Sequence, residues 1–313
     1  MQLDRIIGVI GLAVCLYACS TSANRNDIRE CAVCPVMVIV PAGTAVLGAG
    51  ANDPLNNADE RPERRFQIAR PFMVGRYEVT RAEFEAFARA TNRAALGNCL
   101  TDRRHPGDWQ LDAATTFRDP GFAQAGNHPV ACVSWDDAQA YIDWLNSMTS
   151  GGYRLLTEVE WEYIARAGSL QNYVFPWGDN SAEACDFANA FDQTALEHYA
   201  DMDRSGYKLF DPLECRDGHL NTSPVGTYRA NPFGVYDLIG NVAEWVADCH
   251  ASSHAALDES GVLATADIAC TRRPAKGGSW GSLGHNVRTA ERDPYSPAHR
   301  DDSIGIRVAK SRP

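Results

Sequence analysis

Ten cysteines, eight histidines and a serine-bearing segment near the C-terminus are the residues whose type and spacing point to chemistry. Two of the cysteines, Cys15 and Cys19, sit in an apolar N-terminal run; the other eight are Cys31, Cys34, Cys99, Cys132, Cys185, Cys215, Cys249 and Cys270. These fall into four sequence-neighbouring couples, an even number that suits disulfides in an oxidising compartment, although spacing alone does not choose the pairing. Loops of a few tens of residues closed in this way would each contribute about 3 kcal/mol. Cys31-Ala-Val-Cys34 also has the spacing of a thioredoxin-type redox pair or half a zinc site, but no helix signal follows it and no second CxxC appears, which favours a structural disulfide. His250 and His254 stand four apart beside Cys249, a spacing that puts two imidazoles on one helical face for iron or copper. Ala251, Ser252 and Ser253 favour an exposed polar loop instead. Ser282 precedes His285 by three residues, which suggests an activated nucleophile, yet neither an orienting acid nor an oxyanion hole can be named.

The chain is 313 residues long, 45% hydrophobic and 22% charged, the composition of an ordinary globular protein. Its net charge of -11 repels phosphate backbones and argues against nucleic acid as a partner. The apolar run Ile6 to Tyr17 is too short to span a bilayer comfortably and suits a signal peptide led by Arg5. Its end, Leu16-Tyr17-Ala18-Cys19, resembles a bacterial lipobox, with Tyr17 in place of the usual small residue. The expected organisation is a signal peptide over 1–18, a lipidated Cys19 and polar tether over 19–35, and one domain over 36–313. Simple secretion after cleavage and an uncleaved anchor are the alternatives. Ser20 after the cysteine resembles Gram-negative lipoproteins of the outer membrane, so the domain is expected on the periplasmic side of the cell envelope, held to the membrane by its lipid.

The elements that must position these residues begin with Val36 to Val40, a β-rich run closed by Pro41-Ala42-Gly43, and a second strand before the Gly48-Ala49-Gly50 turn. The two read locally as a hairpin. Three helix starts carry capping signals: Thr80 with Glu83, Ser134 with Asp137, and Thr157 with Glu160. Phe84, Phe87, Tyr141, Ile142, Leu145, Trp161 and Ile164 then recur at helical spacing and read as core faces. From Gly168 to about Asn231 periodicity is lost, and so much irregular backbone calls for disulfides and bound cations as restraints.

A series of stretches now resembles the formylglycine-generating enzyme family, also called the sulfatase-modifying factor family, from about Val36 to Lys310. It includes Arg76-Tyr77-Glu78-Val79-Thr80, His128-Pro129-Val130, Val133-Ser134-Trp135, Arg154-Leu155-Leu156-Thr157-Glu158, Phe175-Pro176-Trp177-Gly178, Gly234-Val235-Tyr236-Asp237, Gly240-Asn241-Val242-Ala243-Glu244-Trp245, Gly277-Gly278-Ser279-Trp280 and Gly305-Ile306-Arg307-Val308. The resemblance implies a compact, irregular α+β single domain related to the C-type-lectin-like fold. It also implies structural calcium, at Asn189, Ala190, Asp217 and His219 and at Asp237, Gly240, Val242 and Glu244, several of them through backbone carbonyls.

The family's own oxidation uses copper held by two cysteines after the Gly-Gly-Ser stretch. Here Ser282 matches the first, the second falls near Asn286 or Val287, and no cysteine follows Cys270. Hydroxyl and amide oxygens do not replace two thiolates for a soft ion. The resemblance further implies that Ser279, Trp280, Ser282, His285, Arg288 and Arg292 line the substrate groove, against the alternative that Trp280 fills core and the arginines pair with buried acids. The expected function is a binding or accessory lipoprotein that takes a peptide, glycan or envelope protein without the copper activity. The alternative is a periplasmic oxidase related to the pyoverdine-maturation branch, using copper or iron; formylglycine generation on sulfatases ranks below both.

Overall fold

The computed structural model describes residues 27–51, 53–101, 109–198, 212–263 and 270–312. The expected signal peptide, Cys19 and the first part of the tether lie outside these residues. No helix among them is long and apolar enough to cross a membrane.

The chain forms twelve described strands: β1 (Met37–Val40), β2 (Gly43–Leu47), β3 (Arg64–Ile68), β4 (Phe72–Gly75), β5 (Cys99–Thr101), β6 (Gln110–Asp112), β7 (Tyr153–Leu155), β8 (Ala243–Trp245), β9 (Arg273–Lys276), β10 (Arg292–Tyr295), β11 (Ile304–Gly305) and β12 (Val308–Ser311). Its α-helices are α1 (Arg81–Ala90), α2 (Trp135–Met148), α3 (Glu158–Ala165), α4 (Ala184–Phe187) and α5 (Gln193–His198). The first three start where their capping signals place them. Thr80, Ser134 and Thr157 each accept the backbone N–H three residues on, while Glu83, Asp137 and Glu160 reach back to the cap.

The expected hairpin does not form. β1 pairs with β4, and β2 turns away to pair with β3. The main sheet runs β1-β4-β12-β7, so the C-terminal strand is one of its two interior members, and a second sheet runs β10-β9-β8-β11. Non-local pairing satisfies the backbone groups of β1 on a strand that the local turn does not reveal. The helices α1 and α2 pack one apolar cluster around Phe84, Phe87, Tyr141 and Leu145, and α3 carries Trp161 and Ile164 into a second.

The eight cysteines pair in sequence order, Cys31–Cys34, Cys99–Cys132, Cys185–Cys215 and Cys249–Cys270. The last three restrain the irregular segments between strands. In particular Cys99, at the start of β5, is tied to Cys132, whose N–H donates to the carbonyl of Asp301 at 2.9 Å.

Candidate functional site

After β9 the backbone turns sharply at Gly277 and Gly278, with φ of +94° and +66°. A Cβ on Gly277 would stand 2.5 Å from the carbonyl of Leu238, and one on Gly278 2.5 Å from that of Asn286. Only glycine fits this turn. It delivers Ser279 and Ser282 to a cleft of about 470 Å³ whose walls also carry Leu100, Trp109, His285, Asn286, Asp293, Tyr295, Asp301 and Ser303.

Within the cleft Ser282 Oγ accepts the Ser279 N–H at 3.0 Å and lies 3.2 Å from Ser279 Oγ. Among the described residues no hydrogen bond joins Ser282 to His285. Burial and the nearby Arg288 hold the His285 imidazole below its usual range, so it is neutral at pH 7. Asp301 is buried and accepts the Ser303 N–H and hydroxyl at 2.9 and 2.6 Å. Asp293 is pushed up by burial and by Asp301. These acids and the exposed Trp109 are not among the residues singled out from the sequence. A signal for Asp293 exists: in a strand, consecutive residues face opposite ways, so an inward Arg292 forces its neighbour outward.

Arg292 and Arg288 are core residues, so of the two expectations for them pairing with buried acids holds and a place in the groove does not. Arg288 is fully buried and its guanidinium meets Glu60 at 2.7 and 2.9 Å, Asp53 at 2.8 Å, and Glu291. Burial opposes its charge, but the Glu60 hydrogen bond and the surrounding acids hold the guanidinium ionised. Arg292 donates to Glu158 at 2.8 Å, and the fully buried Lys276 donates to Glu162 at 2.9 Å. Trp280 is likewise buried, edge-on to Phe122 with centroids 5.8 Å apart. Of the six expected groove residues, the structure brings Ser279, Ser282 and His285 to the cleft.

The two histidines whose spacing allowed a metal pair diverge. His250 Nε2 lies 3.0 Å from Asp59 Oδ2, while His254 opens a short 3-10 turn, Ser253 capping it, and is fully buried rather than in an exposed loop. Among the described residues no group of three or more His, Cys, Asp or Glu is arranged to hold a metal ion. All eight cysteines from Cys31 onward are spent in disulfides, and Val287 is buried in the core.

The two oxygen-rich loop sets are more suggestive. In the first, Asp217 accepts the N–H groups of His219 at 2.7 Å and Ala190 at 3.3 Å, and burial together with Asp192 pushes its carboxyl up to about 7. The Asn189 amide donates to the carbonyl of Asn221 at 2.8 Å, leaving its own Oδ1 buried with no hydrogen-bond donor. In the second, Asp237 accepts the Gly226 N–H through Oδ2, its Oδ1 is buried without a donor, and burial pushes it up to about 6. Glu244 is already engaged, accepting Arg307 at 2.8 Å and the Trp161 indole at 2.7 Å. Glu78 beside it is raised well above its usual range by burial and by Asp237, so one buried guanidinium, Arg307, faces three carboxyls. The sets share a wall: Asn189 bridges to Gly240, and the Asn241 N–H donates to the Asn189 carbonyl at 2.7 Å. Orphan oxygens, loop carbonyls and surplus negative charge are what a hard cation such as calcium requires.

Residues 24–312 match the family described as the sulfatase-modifying factor enzyme 1-like domain. The formylglycine-generating enzyme of Mus musculus is 31% identical over 310 residues, covering 87% of this chain and 74% of that protein. The inactive C-alpha-formylglycine-generating enzyme 2 of Bos taurus is 30% identical over 303 residues, covering 87% of each. The structure of PvdO from Pseudomonas aeruginosa superposes with a TM-score of 0.73 at 32% identity, covering 91% of this chain and 98% of that one. With its Gly-Gly-Ser turn, its cleft and its α+β architecture all in one compact domain, the chain belongs to the sulfatase-modifying factor (FGE-sulfatase) family.

Proposed function

We propose that the chain is an exported cell-envelope lipoprotein whose cleft recognises a ligand or partner, a peptide, glycan or envelope protein, without the copper and thiolate chemistry of formylglycine generation. The observation that carries this reading is the loss of both thiolates: Ser282 lines the cleft where a cysteine is required, and every domain cysteine is held in a disulfide elsewhere. A serine hydroxyl and an asparagine amide do not hold a soft copper ion. Calcium at the Asn189–Asp217 and Asp237–Glu244 sets is part of the proposal. When bound it supplies positive charge to carboxyls that burial otherwise drives toward the protonated form. The Asn189 and Asp237 oxygens would be its side-chain ligands, with the Ala190, His219, Gly240 and Val242 carbonyls completing the sets.

A second reading is a periplasmic metal-dependent oxidase, favoured by the 32% identity to PvdO at nearly full coverage. Elemental mass spectrometry on the protein isolated from the membrane fraction, dialysed against calcium with trace copper and iron, separates the two. Calcium alone, with no oxygen uptake, is the expected result. Stoichiometric copper or iron with oxygen consumption overturns it in favour of the oxidase. Metabolic labelling with an alkyne fatty acid tests the anchor: label is expected on the wild type and lost in Cys19→Ser.

A further inference from the structure

We propose that the cleft takes a cationic organic ligand, an ammonium or guanidinium group that pairs with the Asp293 carboxylate beside Trp109 and Tyr295. The inference rests on the reading of the cleft as a recognition site and names what it recognises.

Three observations converge on it. The first is the phase of β10, which pairs antiparallel with β9 so that Arg292 stands opposite Lys276 and Asp293 opposite Ala275. Arg292 goes to the core and Asp293 to the cleft. There no hydrogen bond or ion pair from any described residue reaches its carboxylate. Lys276, a cation whose charge acts on it, has its ammonium committed to Glu162 at 2.9 Å and the Ala290 carbonyl at 3.1 Å.

The second is the sign of the lining. Asp293 and Asp301 contribute two carboxyls, the second with His299 Nε2 3.6 Å away, and among the described lining residues there is no lysine or arginine and one basic group, His285, which is held neutral. Burial and the neighbouring acids push the Tyr295 hydroxyl up, so it too is uncharged at pH 7. A net charge of -11 on the whole chain draws cations toward this opening.

The third is the shape and chemistry of the rest. About 470 Å³ holds a small organic molecule or one extended side chain. Trp109 is 41% exposed, and aromatic faces attract organic cations within about 6 Å. Ser279, Ser282, Ser303 and Asn286 add hydroxyl and amide partners for a ligand with polar substituents.

Phenethylamine, phenethyl alcohol and 3-phenylpropionate, three probes of similar size and different charge, test the proposal by calorimetric or ligand-observed NMR titration of the full chain. The amine is expected to bind at least tenfold tighter than the alcohol, with the carboxylate weakest. Asp293→Asn should abolish that preference while leaving affinity for the alcohol unchanged, and Asp293→Glu should restore part of it. Circular dichroism confirms that each variant is folded; should Asp293→Asn fail to fold, the wild-type ranking of the three probes decides. Equal binding of amine and alcohol by the wild type, or undiminished amine binding by a folded Asp293→Asn, overturns the charge assignment while the cleft stands as a binding site. Saturable binding by none of the three overturns the cleft as a recognition site, and the proposal with it.

Discussion

Two adjacent residues on β10 have opposite fates. Arg292 lies in a buried lattice of ion pairs, where Arg288, Lys276 and Arg166 meet Asp53, Glu60, Glu158, Glu162 and Glu291. Asp293, one residue later, lines an open cleft, and among the described residues none hydrogen-bonds to or pairs with its carboxylate. The first region is complete: its charges are buried, and each cation meets at least one acid. The second has hydroxyls, aromatics and acids but no cation among its described walls. The contrast separates charges that hold the fold from a charge left over for something else. It also explains why half of the expected groove residues are absent from the groove.

The largest effect is expected in the complete region. Arg288→Met removes the guanidinium from three acids and leaves Asp53, Glu60 and Glu291 buried together. Breaking a buried ion pair from one side costs about 3 to 5 kcal/mol. Urea melts at pH 7 should show a loss in that range, whereas a loss under 1 kcal/mol would mean that the lattice is not a closed unit.

A loss of nearly the same size is expected where a covalent link braces the part of the cleft that carries Leu100 and Asp301. The double replacement Cys99→Ser with Cys132→Ser opens a link of sequence separation 33, and the chain-entropy relation gives about 4 kcal/mol for such a loop. Cys31→Ser with Cys34→Ser opens a link of separation 3, for which the same relation gives about 2 kcal/mol. The first pair should also weaken phenethylamine binding, because Leu100 and Asp301 stand next to its two ends. Equal stability losses for the two pairs would remove loop length as the governing factor.

The loop sets give a smaller, conditional effect whose sign follows from the raised carboxyls. Asp217 and Asp237 stand at about 7 and about 6 in the folded chain against 3.8 for an ordinary aspartate. Their contribution to stability is therefore full below about pH 4 and lost as pH rises through 6 and 7. In chelator the melting temperature should decline by several degrees over that window, and calcium should remove the decline. Asp237→Asn, which tolerates the positive φ of 53° at this position, should cut the calcium-dependent gain without lowering stability in chelator. Equal melting curves with calcium and with chelator would remove the calcium assignment.

How much of this was legible in the sequence divides along the line between local and long-range order. The helices α1, α2 and α3 were legible because a cap and its partner lie three residues apart and act within one turn. The partner of β1 was not, because β4 and the C-terminal β12 are brought to it by the whole fold. In the site, Ser279, Ser282 and His285 were found through the Gly-Gly-Ser resemblance. For Arg288 and Arg292 the sequence left two readings, binding anchor or partner of a buried acid, because the acids that decide between them are not local. Glu60 and Glu158, which neutralise them, lie 228 and 134 residues away in sequence. Asp293 was missed because its exposure depends on the strand phase that the inward Arg292 sets.

The smallest effect on stability is expected at Asp293 itself, and its sign distinguishes an unpaired charge from a paired one. Burial and Asp301 raise the folded carboxyl above its usual 3.8, so its contribution is full below that pH and lost as pH rises through the folded value. At pH 7.5 the ionised group is a burden that Asp293→Asn removes, and thermal melts should show the variant equal to the wild type or a few degrees more stable. As pH falls the gap should narrow, because the raised carboxyl takes up its proton before an ordinary aspartate does. Saturating phenethylamine should close it at pH 7.5 as well, since the bound cation supplies the missing charge to the wild type alone. A variant less stable than wild type at pH 7.5 would show that Asp293 already has a partner within the chain. The division between a complete core and an unfilled cleft would then fall at some other residue.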